Sequence, residues 1–230
     1  TSSQQMSLKR CQRLVDAIPR LEKIFAEKAN LKATSAFPLF KKSIHQAVWR
    51  SVPINEERQA AVLVPLVSFQ GEPSILYTTR SLNLPHPGEV SFPGGHLEVD
   101  VDGSLEETAV REAQEELLGD YPWDDVHILG QSTALPAASG TPVTPIIGIL
   151  PYEIDANTFP GNPEEVDEVF VLSLKELLAI ESSEKLQRFK SNAPVFHRQH
   201  GERIWGLTAV ITRPLLHNLF KPAFLETSRL

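Results

Sequence analysis

A chain of 230 residues, 41% of them hydrophobic, can bury a sizeable core as one domain with extensions or as two small domains. Its 22 Lys+Arg stand against 29 Asp+Glu, net −7, so no basic footprint for nucleic acid is present and no nucleic-acid partner is expected. No run of about 18 apolar residues occurs and the first residues lack the apolar core of a signal peptide, so neither a membrane partner nor a secretory route is expected; the single cysteine, Cys11, suits a reducing compartment.

Residues 5 to about 30 show helical apolar spacing at Leu8, Cys11, Leu14, Val15, Ile18 and Leu21, with Pro19 expected to break or kink the helix. Residues 30 to 58 read as a connecting arm with a short helix around Lys42 to Trp49. A strand follows at Ala60 to Phe69, and Gln70-Gly71-Glu72-Pro73 turns it into a second at Ser74 to Thr79. A short strand is expected at Glu89 to Phe92, after His86-Pro87-Gly88.

Ser104, with Glu107 three residues on, opens a helix in a capping-box pattern. Val126 to Leu135, Pro142 to Pro151 and Glu168 to Leu172 read as strands, and Leu174 to Ile180 as a helix. Val195 to Arg198 and Gly201 to Ile204 look like a hairpin, and a closing helix runs from about Gly206 to Asn218. Mixed strands interleaved with helices predict an α/β sandwich.

The acidity is concentrated. Residues 98 to 120 hold nine acids and one base, Arg111, a local charge of −8 that leaves 21 bases against 20 acids elsewhere. Within this stretch Glu112 and Glu116 lie roughly 40° apart on a helix, with Glu115 roughly 60° to the other side. These acids therefore share a face, while Ala109, Val110, Ala113 and Leu117 suit burial opposite. Clustered carboxylates call for a counter-charge, and hard divalent cations prefer oxygen ligands. The preceding Pro93-Gly94-Gly95 lets backbone approach closely and offers a carbonyl as a further ligand. An EF-hand register starting at Glu98 fails, because its twelfth residue is Ala109 where a bidentate Glu is required.

Arg111, Glu112, Ala113, Glu115 and Glu116 match, position by position, the second half of the Nudix box, Gly-x5-Glu-x7-Arg-Glu-U-x-Glu-Glu-x-Gly-U with U aliphatic. The chain resembles that family with two departures. Counting back from Arg111, the first Glu falls on Gly103, and the final Gly falls on Leu118 with Gly119 one step late. Leu76-Tyr77-Thr78-Thr79-Arg80-Ser81 and Gly88-Glu89-Val90-Ser91-Phe92-Pro93-Gly94-Gly95 are similar to the segment preceding the box in coenzyme A diphosphatases. Asn162-Pro163-Glu164-Glu165-Val166 and Ile204-Trp205-Gly206-Leu207-Thr208-Ala209 look like later segments of that branch. The resemblance covers about residues 59 to 218. An arginine usual in the branch between Arg80-Ser81 and the glycine turn is absent, with Leu84 and Pro85 in that stretch.

The resemblance implies a Nudix-fold α/β/α sandwich with a mixed sheet and an N-terminal helical extension, divided as extension 1–58, hydrolase domain 59–222 and tail 223–230. It implies Mg²⁺- or Mn²⁺-dependent hydrolysis of coenzyme A to 3',5'-ADP and 4'-phosphopantetheine. The alternatives are another substrate (ADP-ribose, a dinucleotide or an oxidised nucleotide) and a non-catalytic nucleotide-binding module. Glu112 and Glu116 are the expected primary metal ligands, completed by Glu115 and the Gly94 carbonyl. Glu115 or Glu165 is the candidate base, and Arg111 an ion-pair partner that orients Glu112 or a neighbour. Arg80 and His86 are candidate substrate contacts, and Trp205 is expected in the core. The terminal Ser228-Arg229-Leu230 resembles a peroxisomal address, which predicts an import receptor as partner and a peroxisomal location, with a cytoplasmic one as alternative. A homodimer is also among the expected partners.

Overall fold

The computed structural model describes residues 8–30, 58–187, 189 and 191–226. The short helix expected around Lys42 to Trp49 and the Ser228-Arg229-Leu230 terminus lie outside the described residues. β1 (Ala60–Phe69) and β2 (Glu72–Arg80) form an antiparallel hairpin through Gln70 and Gly71, both at positive φ (52° and 75°), the turn geometry that matches strand twist. β1 also runs parallel to β7 (Pro142–Ile154), and this pair is the spine of an eight-stranded mixed sheet. Leu63, Val64, Leu66 and Val67 on β1, and Ile146, Ile147, Ile149 and Leu150 on β7, are all fully buried. Burial on both faces explains why these strands read as continuous apolar runs.

The sheet order is β3 (Val90–Ser91), β2, β1, β7, β5 (His127–Gln131). Off this path β4 (Gly94–His96) pairs with β1, β6 (Leu135–Pro136) with β7 and β8 (Val166–Ser173) with β2. One face packs on α2 (Leu105–Leu117) through Ala61, Leu63 and Val67 against Ala109, Ala113 and Leu117. On the other, Val64 and Leu66 meet α1 (Gln12–Asn30), α3 (Leu174–Ile180) and α4 (Gly206–Leu215) in a second cluster. The result is the expected sandwich with helices on both faces of a mixed sheet.

Four local expectations change. α1 continues through Pro19, because Leu14 on one side of the proline and Leu21 and Phe25 on the other are anchored in the same core. The single strand expected at 126–135 divides into β5 and β6 after a bulge at Gly130. The partner of β10 (Asn192–Phe196) is β9 (Glu181–Lys185), and the expected Gly201 to Ile204 arm is reduced to one bridge, Phe196 to Ile204. The closing helix carries Pro214 and passes through a π-helical turn, Leu216–Phe220, into α5 (Lys221–Phe224), beyond the end expected at about Asn218.

Candidate active site

β4 and α2 build the site together. Pro93 accepts a hydrogen bond from the Leu63 N–H at 2.8 Å, and Gly94 and Gly95 then pair with Val62 and Ala61 of β1. Gly94 has φ 155°, and a β-carbon there would overlap the Ala61 carbonyl; one at Gly95 would overlap the Glu112 carboxylate. Two glycines are thus needed for the helix to lie this close to the strand.

α2 starts where the sequence places it. Ser104 accepts a hydrogen bond from the Glu107 N–H at 3.1 Å, while the Glu107 carboxylate accepts from the Gly103 N–H at 2.8 Å, one residue before the cap. Ala109, Ala113 and Leu117 are buried as expected; Val110 is only half-buried. The acids divide. Glu115 is exposed, Glu112 half-buried, and Glu116 only 5% exposed, because β4 lies along the edge of the face that a lone helix would give to water. The Gly94 N–H donates to Glu116 Oε1 at 3.3 Å.

Arg111 is the anchor of the loop before the helix. Its Nε and Nη2 donate to the two carboxylate oxygens of Asp102 at 2.9 and 3.0 Å, and Nη2 reaches Glu112 Oε1 at 3.0 Å. The same guanidinium also bonds Glu115 Oε2 at 3.2 Å and the His96 carbonyl at 3.3 Å. Asp102 is buried, and its Oδ2 also accepts from Thr108 Oγ1 and from the Glu98 N–H, both at 3.0 Å. These bonds, those of Arg111 first, hold its carboxyl well below the usual range, and Arg111 is correspondingly raised. Asp102 stands beside Gly103, where the box pattern asks for Glu, and the sequence reading gave it no role. An acid nine residues before Arg111, one step from the box's Glu position, is the signal that could have found it.

A second loop closes over the other end of α2. The N–H groups of Gly161 and Asn162 donate to the Leu117 and Glu116 carbonyls at 2.9 and 2.7 Å, and the Glu165 carbonyl accepts from the Ser81 N–H at 2.9 Å. Glu165 thereby joins the acids of the helix. Burial pushes the Glu116 carboxyl up to about 8, with Glu165 and Glu112 adding to the rise; the Gly94 N–H and Arg80 oppose it. Glu112 is also raised, first by burial and further by Glu115 and Glu165, against the pull of Arg111. Glu112, Glu116 and Glu165 therefore share one neighbourhood, with Arg80 as the nearby cation, while Glu115 is held outward on Arg111.

Among the described residues no three His, Cys, Asp or Glu side chains converge as ligands of one ion. The donor chemistry nevertheless fits a hard cation. Two carboxylates raised by burial and mutual repulsion are what a divalent ion relieves, and Mg²⁺ is commonly held by one or two carboxylates with substrate phosphates and waters completing the shell. What the structure gives at Gly94 is its N–H, used to orient Glu116.

Beside the acids lies a cavity of about 350 Å³. Arg80 and His86 line it, as do His96, Phe189 and Trp205. Arg80 donates from Nε to the Pro85 carbonyl at 3.1 Å, and His86 faces Glu89 at 3.3 Å across the turn. Trp205, expected in the core, is half-buried at this cavity, because the bridge at Ile204 and the start of α4 hold it at the surface.

A model of the NUDIX domain matches residues 57–196. An uncharacterized Nudix hydrolase, NudL, of Yersinia enterocolitica is 44% identical over 162 residues, covering 68% of this chain and 78% of that protein. The Nudix hydrolase NudL of Yersinia pestis (strain Pestoides F) is 41% identical over 164 residues, covering 69% and 78%. Among solved structures, the M. smegmatis Nudix hydrolase RenU has a TM-score of 0.44 at 17% identity, covering 58% of this chain and 83% of that one. With its box helix seated on the glycine strand and a family model spanning residues 57–196, the chain belongs to the Nudix family.

Proposed function

We propose that this Nudix pyrophosphohydrolase cleaves the diphosphate of coenzyme A, giving 3',5'-ADP and 4'-phosphopantetheine. Family membership carries the coarser statement, hydrolysis of a nucleoside diphosphate derivative. The observation that carries the site assignment is Glu116, held by the Gly94 N–H and raised first by its burial and then by its neighbours Glu165 and Glu112. The finer substrate reading is supported by where the branch-like segments fall. Leu76–Ser81 ends β2 at Arg80, and Gly88–Gly95 forms β3 and β4, so both frame the acids and the cavity.

In this reading Glu112 and Glu116 would hold Mg²⁺ or Mn²⁺, with the Gly94 carbonyl as a further ligand; Glu115, expected beside them, is instead held outward on Arg111. The bound cation would offset phosphate charge and lower the pKa of an attacking water. Arg111 fixes the Glu112 carboxylate, the Gly94 N–H fixes that of Glu116, and Arg80 meets a phosphate. Glu165, inside the cluster, takes the proton from the water in preference to Glu115, which is committed to Arg111.

Product analysis by mass spectrometry, with Mg²⁺ and with Mn²⁺, tests the reading across coenzyme A, ADP-ribose, a dinucleotide and an oxidised nucleotide. Coenzyme A is expected to give the highest kcat/KM. Preference for another substrate would correct the specificity, and binding without turnover would make the protein a nucleotide-binding module. The proposal extends to location: a tagged protein lacking Ser228 to Leu230 should move from peroxisomes to the cytosol, and an unchanged punctate pattern would refute the address.

A further inference from the structure

The cavity beside the acids has four rings in its wall, His86, His96, Phe189 and Trp205, and its charged side chains are Arg80 and Glu89. Two of its lining residues link it to the reaction centre. Arg80 lines it and also acts on the Glu116 carboxyl. His96 lines it too, and is the third residue of the strand whose first two, Gly94 and Gly95, touch Glu116 and Glu112. At about 3.3 Å per residue, His96 at the cavity stands about 7 Å along that strand from Gly94 at the acids.

We infer that the cavity is a nucleobase site in which the base of the substrate stacks on Trp205, making Trp205 a specificity-determining residue. The inference rests on the hydrolase reading above and adds which half of the substrate goes where. Trp205 is fixed for this role. Ile204 before it is tied to Phe196 by two backbone hydrogen bonds, both 2.9 Å, and Gly206 after it begins α4. The Arg203 guanidinium, 5.8 Å from the Trp205 ring centroid, holds the indole without being part of the cavity wall that Trp205 lines. An aromatic surface at the mouth of a water-accessible cavity, next to an arginine and a pair of carboxylates, suits a flat polar base linked to a phosphate.

The test uses binding, measured on the full chain with Mg²⁺ present, of adenosine 5'-monophosphate and of ribose 5-phosphate, which lacks the base. Stacking of one base is worth about 1–3 kcal/mol, so the wild-type protein should bind the nucleotide about 5- to 150-fold more tightly than the sugar phosphate. Trp205→Ala should remove most of that preference and Trp205→Phe should keep it. Ala138→Phe, which fills the cavity from the loop after β6, should weaken the nucleotide and leave the sugar phosphate unchanged. Equal binding of the two ligands by the wild-type protein would overturn the inference and give the cavity to the other half of the substrate. So would an unaltered preference in Trp205→Ala. If that variant does not fold, Ala138→Phe and the wild-type ratio decide. Absence of turnover on every nucleoside diphosphate derivative would sink the hydrolase reading instead, and it leaves this binding ratio intact.

Discussion

Asp102 and Arg111 are joined through both carboxylate oxygens and two guanidinium nitrogens, at 2.9 and 3.0 Å, with the Asp102 side chain only 2% exposed and that of Arg111 19%. The pair links the loop between β4 and α2 to the helix that carries Glu112 and Glu116. Such a two-point contact sets orientation as well as distance, and Arg111 passes that orientation to Glu112 through its 3.0 Å bond. Where the family pattern puts a Glu eight residues before the arginine, this chain uses a shorter acid one residue earlier.

Asp102→Asn should therefore destabilise the protein by about 2–3 kcal/mol at pH 7. Breaking a buried pair leaves one charge uncompensated, but Arg111 keeps Glu112 and Glu115. The Asp102 carboxyl is lowered in the fold, so its contribution is complete above about pH 4, its unfolded value, and is lost as pH falls through the folded value. Denaturant melts of the two proteins should converge in acid; a gap that stays constant to low pH would remove the ion pair from the account.

Leu118 offers the opposite kind of change. It has φ 55° and ψ −172°, close to a region that is essentially reserved for glycine, at the position where the box pattern has Gly. Its side chain is among the exposed large apolar groups, so little packing opposes removal. Leu118→Gly should stabilise by about 1 kcal/mol, the relief of strain exceeding the entropy that glycine adds to the unfolded chain. For a protein of this size that is about 2–4 °C in Tm, read by calorimetry; a lower Tm would show that the strain is absent.

Much of this was legible in local pattern. Ala60–Phe69, Leu174–Ile180 and the Ser104 cap are decided by residues within a few positions of each other, by apolar runs, turn residues and capping bonds. The carboxylate spacing of α2 was equally readable. What escaped was set at a distance. β4 is three residues of weak strand propensity, Gly94-Gly95-His96, formed because β1 is there to pair with it. That strand then reverses the expected exposure of Glu116. β9, Glu-Ser-Ser-Glu-Lys, has no apolar alternation and exists only through β10. Trp205 looked like core by composition, and the bridge next to it keeps it at the cavity.

Gly95→Ala isolates the contact between strand and helix. The added methyl would overlap the Glu112 carboxylate, and a side-chain end can swing away where backbone cannot. The fold should survive and Glu112 should leave its place between Arg111 and the strand. Expected are a Tm within a few degrees of wild type and a fall in kcat/KM of about a hundredfold, the scale of a misplaced reacting geometry. Activity near wild type would mean that Glu112 is not needed where it stands.

Glu116→Gln separates the cost of the site from its use. The Glu116 carboxyl is raised to about 8 in the fold, from the ordinary carboxylate range. Its burden on the metal-free protein is thus absent in acid, grows as pH climbs through that interval and is complete above about pH 8. Glutamine keeps the shape and the Gly94 N–H bond without the charge. Metal-free Glu116→Gln should consequently melt about 2–6 °C above the metal-free wild type at pH 8.5, and the two should agree near pH 5. Adding Mg²⁺ should raise the wild-type Tm and leave the variant nearly unmoved, because the neutral amide is a poor ligand for a hard cation. The same variant should lose most metal-dependent hydrolysis. Near-wild-type turnover at saturating Mg²⁺ would take Glu116 out of the mechanism, and a variant less stable than wild type at pH 8.5 would show that its charge is already neutralised within the fold.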